Sequence, residues 1–200
     1  MWPWEHAIIG YLAYSLFCHL YYRDSPTGFE AIAAVFASVL PDIIDKPLAW
    51  EYGFFETGYA LGHSIFFAIP LALVIGWLAR SVEQTRIGIA FGIGYLLHSP
   101  SDILHHYATS QKIQYELMLW PLAPVGSYEY PPGFVEYSMS LFGRYQNQVL
   151  VADFSIYIWI QAGVAVLTFL LWLYDGAPIV RECFHGGKQI IFRMVNIVGF

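Results

Sequence analysis

The chain has 200 residues, 58% of them hydrophobic and 12% charged, with a formal net charge of −6 and a mean hydropathy of +0.52. A soluble domain carries about 25% charged residues, and a small one exposes too much surface to hide such a deficit, so the composition excludes an ordinary soluble globule. The negative balance, without a basic stripe, excludes nucleic acid as a stable partner.

At about 20 residues per crossing, the length suits roughly four to six spans. The first apolar segment covers residues 6–22, flanked by Trp2, Trp4, Tyr21 and Tyr22 like an aromatic belt. No signal-peptide cleavage pattern precedes it, so it is expected to stay in the protein. Thr27 and Glu30 have the spacing of a capping box that opens a second helix. That helix carries Ala31, Ala33, Ala34, Ala37 and Ser38, which suit close helix packing, and Pro41 is expected to end it. Residues 42–57 read as a polar, aromatic loop. A third span is expected over 58–79 and a fourth over 87–104, where Gly88, Gly92 and Gly94 permit close approach. Residues 105–151 are rich in Tyr, Trp and Pro, hold no apolar run long enough to cross, and read as an interfacial cover. The last span is expected over 154–174, and the tail after Gly187 reads as a basic amphipathic helix on the membrane. Cys18 and Cys183, far apart and in no CxxC spacing, read as structural.

The expected fold is all-α: a multi-spanning membrane helical bundle with about five transmembrane helices and an aromatic-rich extramembrane segment. It forms one membrane domain, with a core over 1–125, an interfacial segment over 126–151, a last span over 152–175 and a basic amphipathic tail over 176–200.

Successive spans alternate direction, so odd spans start and even spans end on one face. His6 opens the first span, Asp42 and Asp45 follow the second, His63 stands near the start of the third, and His98 and Asp102 stand near the end of the fourth. All converge on one face. Arg23, Arg80, Arg86, Arg181, Lys188 and Arg193 fall on the other, against Lys46, Lys112 and Arg144 on the His/Asp side. The positive-inside rule then turns the cluster outward from the plasma membrane.

Each residue also has a plainer reading. Ser99-Pro100-Ser101-Asp102 looks like a helix N-terminus in which Asp102 only caps. Asp42 after Pro41 suits a turn. His63 and His6 suit interfacial positions, as His19 and His185 do. What these readings leave unexplained is the coincidence on one face. His98 and Asp102, four apart, share a helix face and can share one metal ion. His105 and His106 are near enough to join, although neighbours in a helix cannot both point at one site.

In order, the chain shows His6, Leu40-Pro41-Asp42, Gly62-His63-Ser64, Gly94-Tyr95-Leu96-Leu97-His98 with Asp102, and Leu119-Trp120-Pro121-Leu122. This order resembles the LexA-regulated, membrane-bound metal-dependent hydrolases, over residues 5–125. That group looks distantly similar to zinc-dependent phospholipase C and related helical nucleases. The resemblance implies one metal site of Asp42, His63, His98 and Asp102, with His6 helping to hold a second ion across a bridging Asp102.

The leading expectation is a membrane-embedded hydrolase using one or two divalent ions, zinc by the donor set, on a phosphoester of a lipid or lipid-linked substrate. Asp45 or Glu116 would assist a proton transfer. The alternative is a non-enzymatic membrane protein in which a structural metal or a polar brace holds the helix ends. A transporter fits less well, because the charges gather at one end and no repeat is visible.

Overall fold

A computed structural model describes residues 1–123, 125–126, 133–150 and 156–182. The described residues form six α-helices and no strand: α1 Pro3–Phe17, α2 Gly28–Trp50, α3 Ile65–Ser81, α4 Thr85–Ser110, α5 Phe134–Leu150 and α6 Ile156–Tyr174. A π-helical turn, Cys18–Tyr22, prolongs α1, and a 3-10 turn, Tyr115–Met118, lies between α4 and α5. The expected tail beyond residue 182 and part of the interfacial segment (127–132) lie outside the described residues.

The start of α2 follows its sequence signal. Thr27 Oγ1 accepts the Glu30 N–H, and the Glu30 carboxylate accepts the Thr27 N–H. Its end does not. Pro41 was expected to stop the helix, yet α2 runs through Pro41 and Pro47 to Trp50. A helical proline removes one N–H and crowds the carbonyl four residues back, but neighbouring helices can re-satisfy freed backbone groups. Pro41 frees the Ala37 carbonyl, and the next carbonyl, that of Ser38, accepts a hydrogen bond from His98 Nδ1 at 2.6 Å. Asp42 and Asp45 are therefore helical residues, not loop residues. The third helix starts later than expected, at Ile65, with the Ser64 hydroxyl accepting the Phe66 N–H as its cap. Helix α4 passes through Ser99 and Pro100 without interruption to Ser110, which removes the reading of Asp102 as a helix cap.

Small residues set the packing. Ala34 and Ala90 meet Tyr14 and Cys18 in one apolar cluster, and Ala37 and Ala68 meet Phe91 and Tyr95 in another. A Cβ added at Gly94 would lie 2.2 Å from the Ala34 carbonyl oxygen, and one at Gly88 would lie 2.8 Å from Ala79 Cβ. At these two glycines the backbones touch. Gly92 has room, with its nearest atom 4.0 Å from an added Cβ.

Two stretches, Thr85–Ser110 and Ile156–Glu182, are long and apolar enough to cross a membrane; α3 is apolar but shorter. The expectation of about five transmembrane helices is thus corrected to two candidate spans among the described residues, by length and hydropathy. The reason lies in the polar content of the others. Helix α2 holds Glu30, Asp42, Asp45 and Lys46 within its length, and α1 has only 15 α-helical residues, including Glu5 and His6.

Candidate metal centre

Helices α1, α2 and α4 and the turn before α3 deliver their polar side chains to one end of the bundle. Asp42, His63, His98 and Asp102 are all buried there, and their ligand-type atoms lie within 4.8 Å of one another. The Nε2 atoms of His63 and His98 are 3.0 Å apart. Asp42 Oδ1 lies 3.3 Å from His63 Nε2 and 3.6 Å from His98 Nε2. Asp102 Oδ2 lies 3.6 Å and 3.5 Å from the same two atoms. An ion with four ligands at about 2.0–2.1 Å spaces them about 3.3–3.4 Å apart in a tetrahedron. The five separations that involve a histidine, 3.0–3.6 Å, bracket that spacing.

Hydrogen bonds fix the proton positions. Ser38 O can only accept, so His98 Nδ1 donates to it, and the neutral ring carries its lone pair on Nε2. His63 Nδ1 likewise donates to Asp45 Oδ2 at 2.7 Å. In their neutral forms the two rings therefore aim lone pairs at each other. Asp42 Oδ1 and Asp102 Oδ2 face the same point, buried and without a hydrogen-bond partner. Such a set of acceptors calls for a cation, either a proton or a metal. Burial disfavours a charged His63, but the Asp42 and Asp45 carboxylates outweigh it and hold the ring's pKa up to about 9. These orphaned donors fit a divalent metal ion.

The other expected residues take distinct places. His6 is buried, stacks on His98 with ring centroids 3.7 Å apart, and sets its Nε2 3.3 Å from Asp102 Oδ1. Ser101 Oγ donates to the His98 carbonyl, so it accepts from His6 Nδ1, and the His6 Nε2 lone pair also lacks a partner. The Met1 amino group lies 2.7 Å from the same Asp102 Oδ1. Asp45, fully buried, accepts from the N–H groups of Ala60, Gly62 and His63 as well as from the His63 ring. All its oxygens are occupied, and its geometry is that of a clamp on the 60–63 turn. Glu116 is exposed on the 3-10 turn, outside the buried cluster. His105 packs edge-on against Tyr157 and His106 against Tyr59; neither belongs to the four-residue group.

Aromatic residues of α5 meet Trp2 and Trp50. Trp50 of α2 meets Phe134 and Tyr137 at the start of α5, and Trp2 meets Phe142 and Tyr145 further along α5. The Ser64 hydroxyl, beside His63, donates to the Trp120 carbonyl at 2.5 Å.

Two carboxylates escaped the sequence reading. Buried Glu5 accepts from the Trp2 N–H, the Tyr157 hydroxyl and the Gln161 amide. Asp175 accepts from Tyr11, Ser15 and His19 at 2.6, 2.6 and 2.7 Å, so His19 is an inter-helix partner and not simply an interfacial residue. The available signal was an acidic residue at each end of apolar runs, where an unpaired charge is expensive.

The fold and site thus define an all-helical bundle whose helix ends bury a His/Asp group able to hold a metal ion. A model of the YdjM inner membrane protein family matches residues 1–181, and the chain belongs to that family. No curated protein and no solved structure matches the chain.

Proposed function

We propose that the protein is a membrane-embedded, metal-dependent hydrolase acting on a phosphoester of a lipid or lipid-linked substrate. The carrying observation is the pair of imidazole lone pairs at 3.0 Å, faced by two unpaired carboxylate oxygens. Asp42, His63, His98 and Asp102 hold a divalent ion, zinc by donor type. His6 and the second oxygen of Asp102 offer donors for another ion beside it. A divalent ion there supplies Lewis acidity, polarising a phosphoryl oxygen and acidifying a water molecule. The chain's own part is to fix the rings through Asp45 and Ser38 and to exclude bulk water by burial. The His/Asp end faces away from the cytoplasm, given the basic residues at the opposite end, and the chain crosses the membrane more than once.

One observation favours a second reading. Four protein ligands and near-complete burial are the marks of a structural site, whereas a catalytic one keeps a position for water. Against it stands the surplus donor, His6 Nε2, which a brace of four ligands does not need.

The deciding experiment assays metal-loaded protein in detergent and in vesicles against a panel of phospholipids and soluble phosphoesters, beside Asp102→Asn and a chelated sample. The hydrolase reading expects turnover by the wild type alone. Equal background rates in all three, with metal retained by the wild type, would replace it with the structural reading.

A further inference from the structure

A lysine stands beside the candidate metal centre. Asp42, Lys46 and Trp50 are four residues apart on α2, so they form one row along a helix face. The row climbs from the buried Asp42 toward the end of the helix, and helical side chains lean back toward the N-terminus. Lys46 accordingly sets its Nζ 2.6 Å from Asp42 Oδ2. The same atom lies 5.8 Å from the centre of the Trp50 ring, within cation–π range. The segment between α2 and α3 closes on the stem: a Cβ added at Gly58 would lie 3.2 Å from Lys46 Cγ and 3.3 Å from the Trp50 indole. The ammonium is thus held in place, with its side chain 14% exposed. Lys112, the other described lysine, is exposed beyond the end of α4.

An ammonium has three donors and no acceptor. Asp42 engages one, and among the described residues no other acceptor meets it. In a purely structural site, Lys46 would oppose the very ion that Asp42 is there to hold, because like charges repel. An anionic substrate reverses that sign, since it meets two positive groups side by side. Asp42 itself shows the spacing. Its Oδ1 faces the Nε2 atoms of His63 and His98, and its Oδ2 faces the Lys46 ammonium. One carboxylate therefore spans the metal position and the lysine. Two oxygens of a phosphoryl group are spaced much as those of a carboxylate are, and both groups accept the same charge-assisted hydrogen bonds.

We propose that Lys46 binds the anionic group of the substrate, its remaining N–H groups taking a phosphoryl oxygen beside the metal position. The proposal rests on the hydrolase reading and adds to it the residue that recognises the phosphoryl group. The plainer alternative makes Lys46 a counter-charge for Asp42 alone, and then an added anion never touches it.

The test uses the full-length, metal-loaded protein in detergent micelles, with inorganic phosphate and dihexanoylphosphatidic acid as probes. With cobalt in the site, paramagnetic broadening of the phosphorus NMR signal reads how tightly each probe binds beside the ion. Lys46→Met should weaken both by about tenfold or more, the worth of a lost hydrogen bond to a charged group, while cobalt content and helical circular dichroism stay at the wild-type level. Lys112→Met, which removes an exposed and screened charge, should change binding by less than about twofold. A second measurement uses wild-type protein with zinc and isotope-labelled lysine. Phosphate should shift the ammonium resonance that is missing from Lys46→Arg. Unchanged probe binding in Lys46→Met, an equal loss in Lys112→Met, or a Lys46 resonance that phosphate leaves unmoved overturns the proposal. Within a Lys46-dependent site, tighter binding of the lipid phosphate names a lipid headgroup as the source, and equal binding names phosphoryl groups at large. A protein that binds phosphate through Lys46 and hydrolyses no phosphoester keeps the anion site and removes only the hydrolase reading. Turnover with an unchanged KM in Lys46→Met does the reverse.

Discussion

His63 and His98 come from a turn and a helix 35 residues apart, yet their Nε2 atoms stand 3.0 Å from each other with both Nδ1 atoms already committed as donors. Two neutral imidazoles cannot rest in that arrangement without a cation between them and the adjoining carboxylates. A proton on His63 meets that need in the metal-free protein, and on the metal reading protein purified without chelator should carry a divalent ion in its place, measurable by elemental analysis. His98→Ala should lower the content by about tenfold or more, since losing even a partner behind a ligand costs 10–100-fold in affinity. His98→Gln, which keeps the volume, should lose metal equally while retaining helical circular dichroism. Equal metal in wild type and both variants would show that the ion sits elsewhere.

Asp45 acts behind His63. Its carboxylate accepts three backbone N–H groups and the imidazole N–H, which fixes the tautomer that presents Nε2 to the site. Asp45→Asn puts an NH₂ where acceptors are required. The variant should lose about 1–3 kcal/mol of stability for its unmatched donors and about 10–100-fold in metal affinity. A shifted absorption spectrum of the cobalt-loaded protein would separate ring misorientation from simple loosening. An Asp45→Asn variant with wild-type affinity and spectrum would reduce the residue to a loop fastener.

The convergence of His6, Asp42, His63, His98 and Asp102 was legible because it needs only the parity of the spans, and parity survives errors in their bounds. Those bounds were less legible. Pro41 and Pro100 look like helix breakers by local propensity, but α2 and α4 continue through them, because each proline removes one backbone hydrogen bond from a helix that packing against its neighbours holds in place. The surroundings of Asp45 were hidden too: as a residue of an expected loop it gave no sign of the three backbone N–H groups and the His63 ring from which its carboxylate, on α2, accepts. Glu5 and Asp175, which tie α1 to α6 from opposite sides, went unread, since nothing local announces a contact across more than 150 residues.

Protonation of His63 gives the metal-free protein a defined pH response. Its ring is raised from 6.5 to about 9 in the folded state, so its stabilising contribution is full below about pH 6.5 and is lost as pH rises through about 9. The melting temperature of chelated protein should fall across that window, and His63→Gln should flatten the fall. A metal ion replaces the proton, so loaded protein should lack the slope. Apparent metal affinity should rise with pH by up to about tenfold per unit until the ring is neutral. A chelated protein whose stability is level from pH 6.5 to 9 would contradict the proton-bound cluster.

The spacing of the candidate ligands also rests on a glycine that is not one of them. Gly94 lets α4 lie directly on α2, where a Cβ would fall 2.2 Å from the Ala34 carbonyl oxygen. That atom is backbone, so no rotamer can relieve the clash, and the helices must separate. His98 stands one turn further along α4 and Asp42 two turns beyond Ala34 on α2, so separation at Gly94 spreads the two ligands. Gly94→Ala should cost at least about 1–3 kcal/mol, as overpacking does, and should reduce metal content with every ligand still present. Gly76→Ala supplies the control. A Cβ there meets nothing within 4 Å, so removing a helical glycine should stabilise α3 by up to about 1 kcal/mol and leave the metal untouched. Thermal melts and elemental analysis of the two variants side by side would check this. Wild-type stability and metal content in Gly94→Ala would mean that the α2–α4 crossing does not set the site.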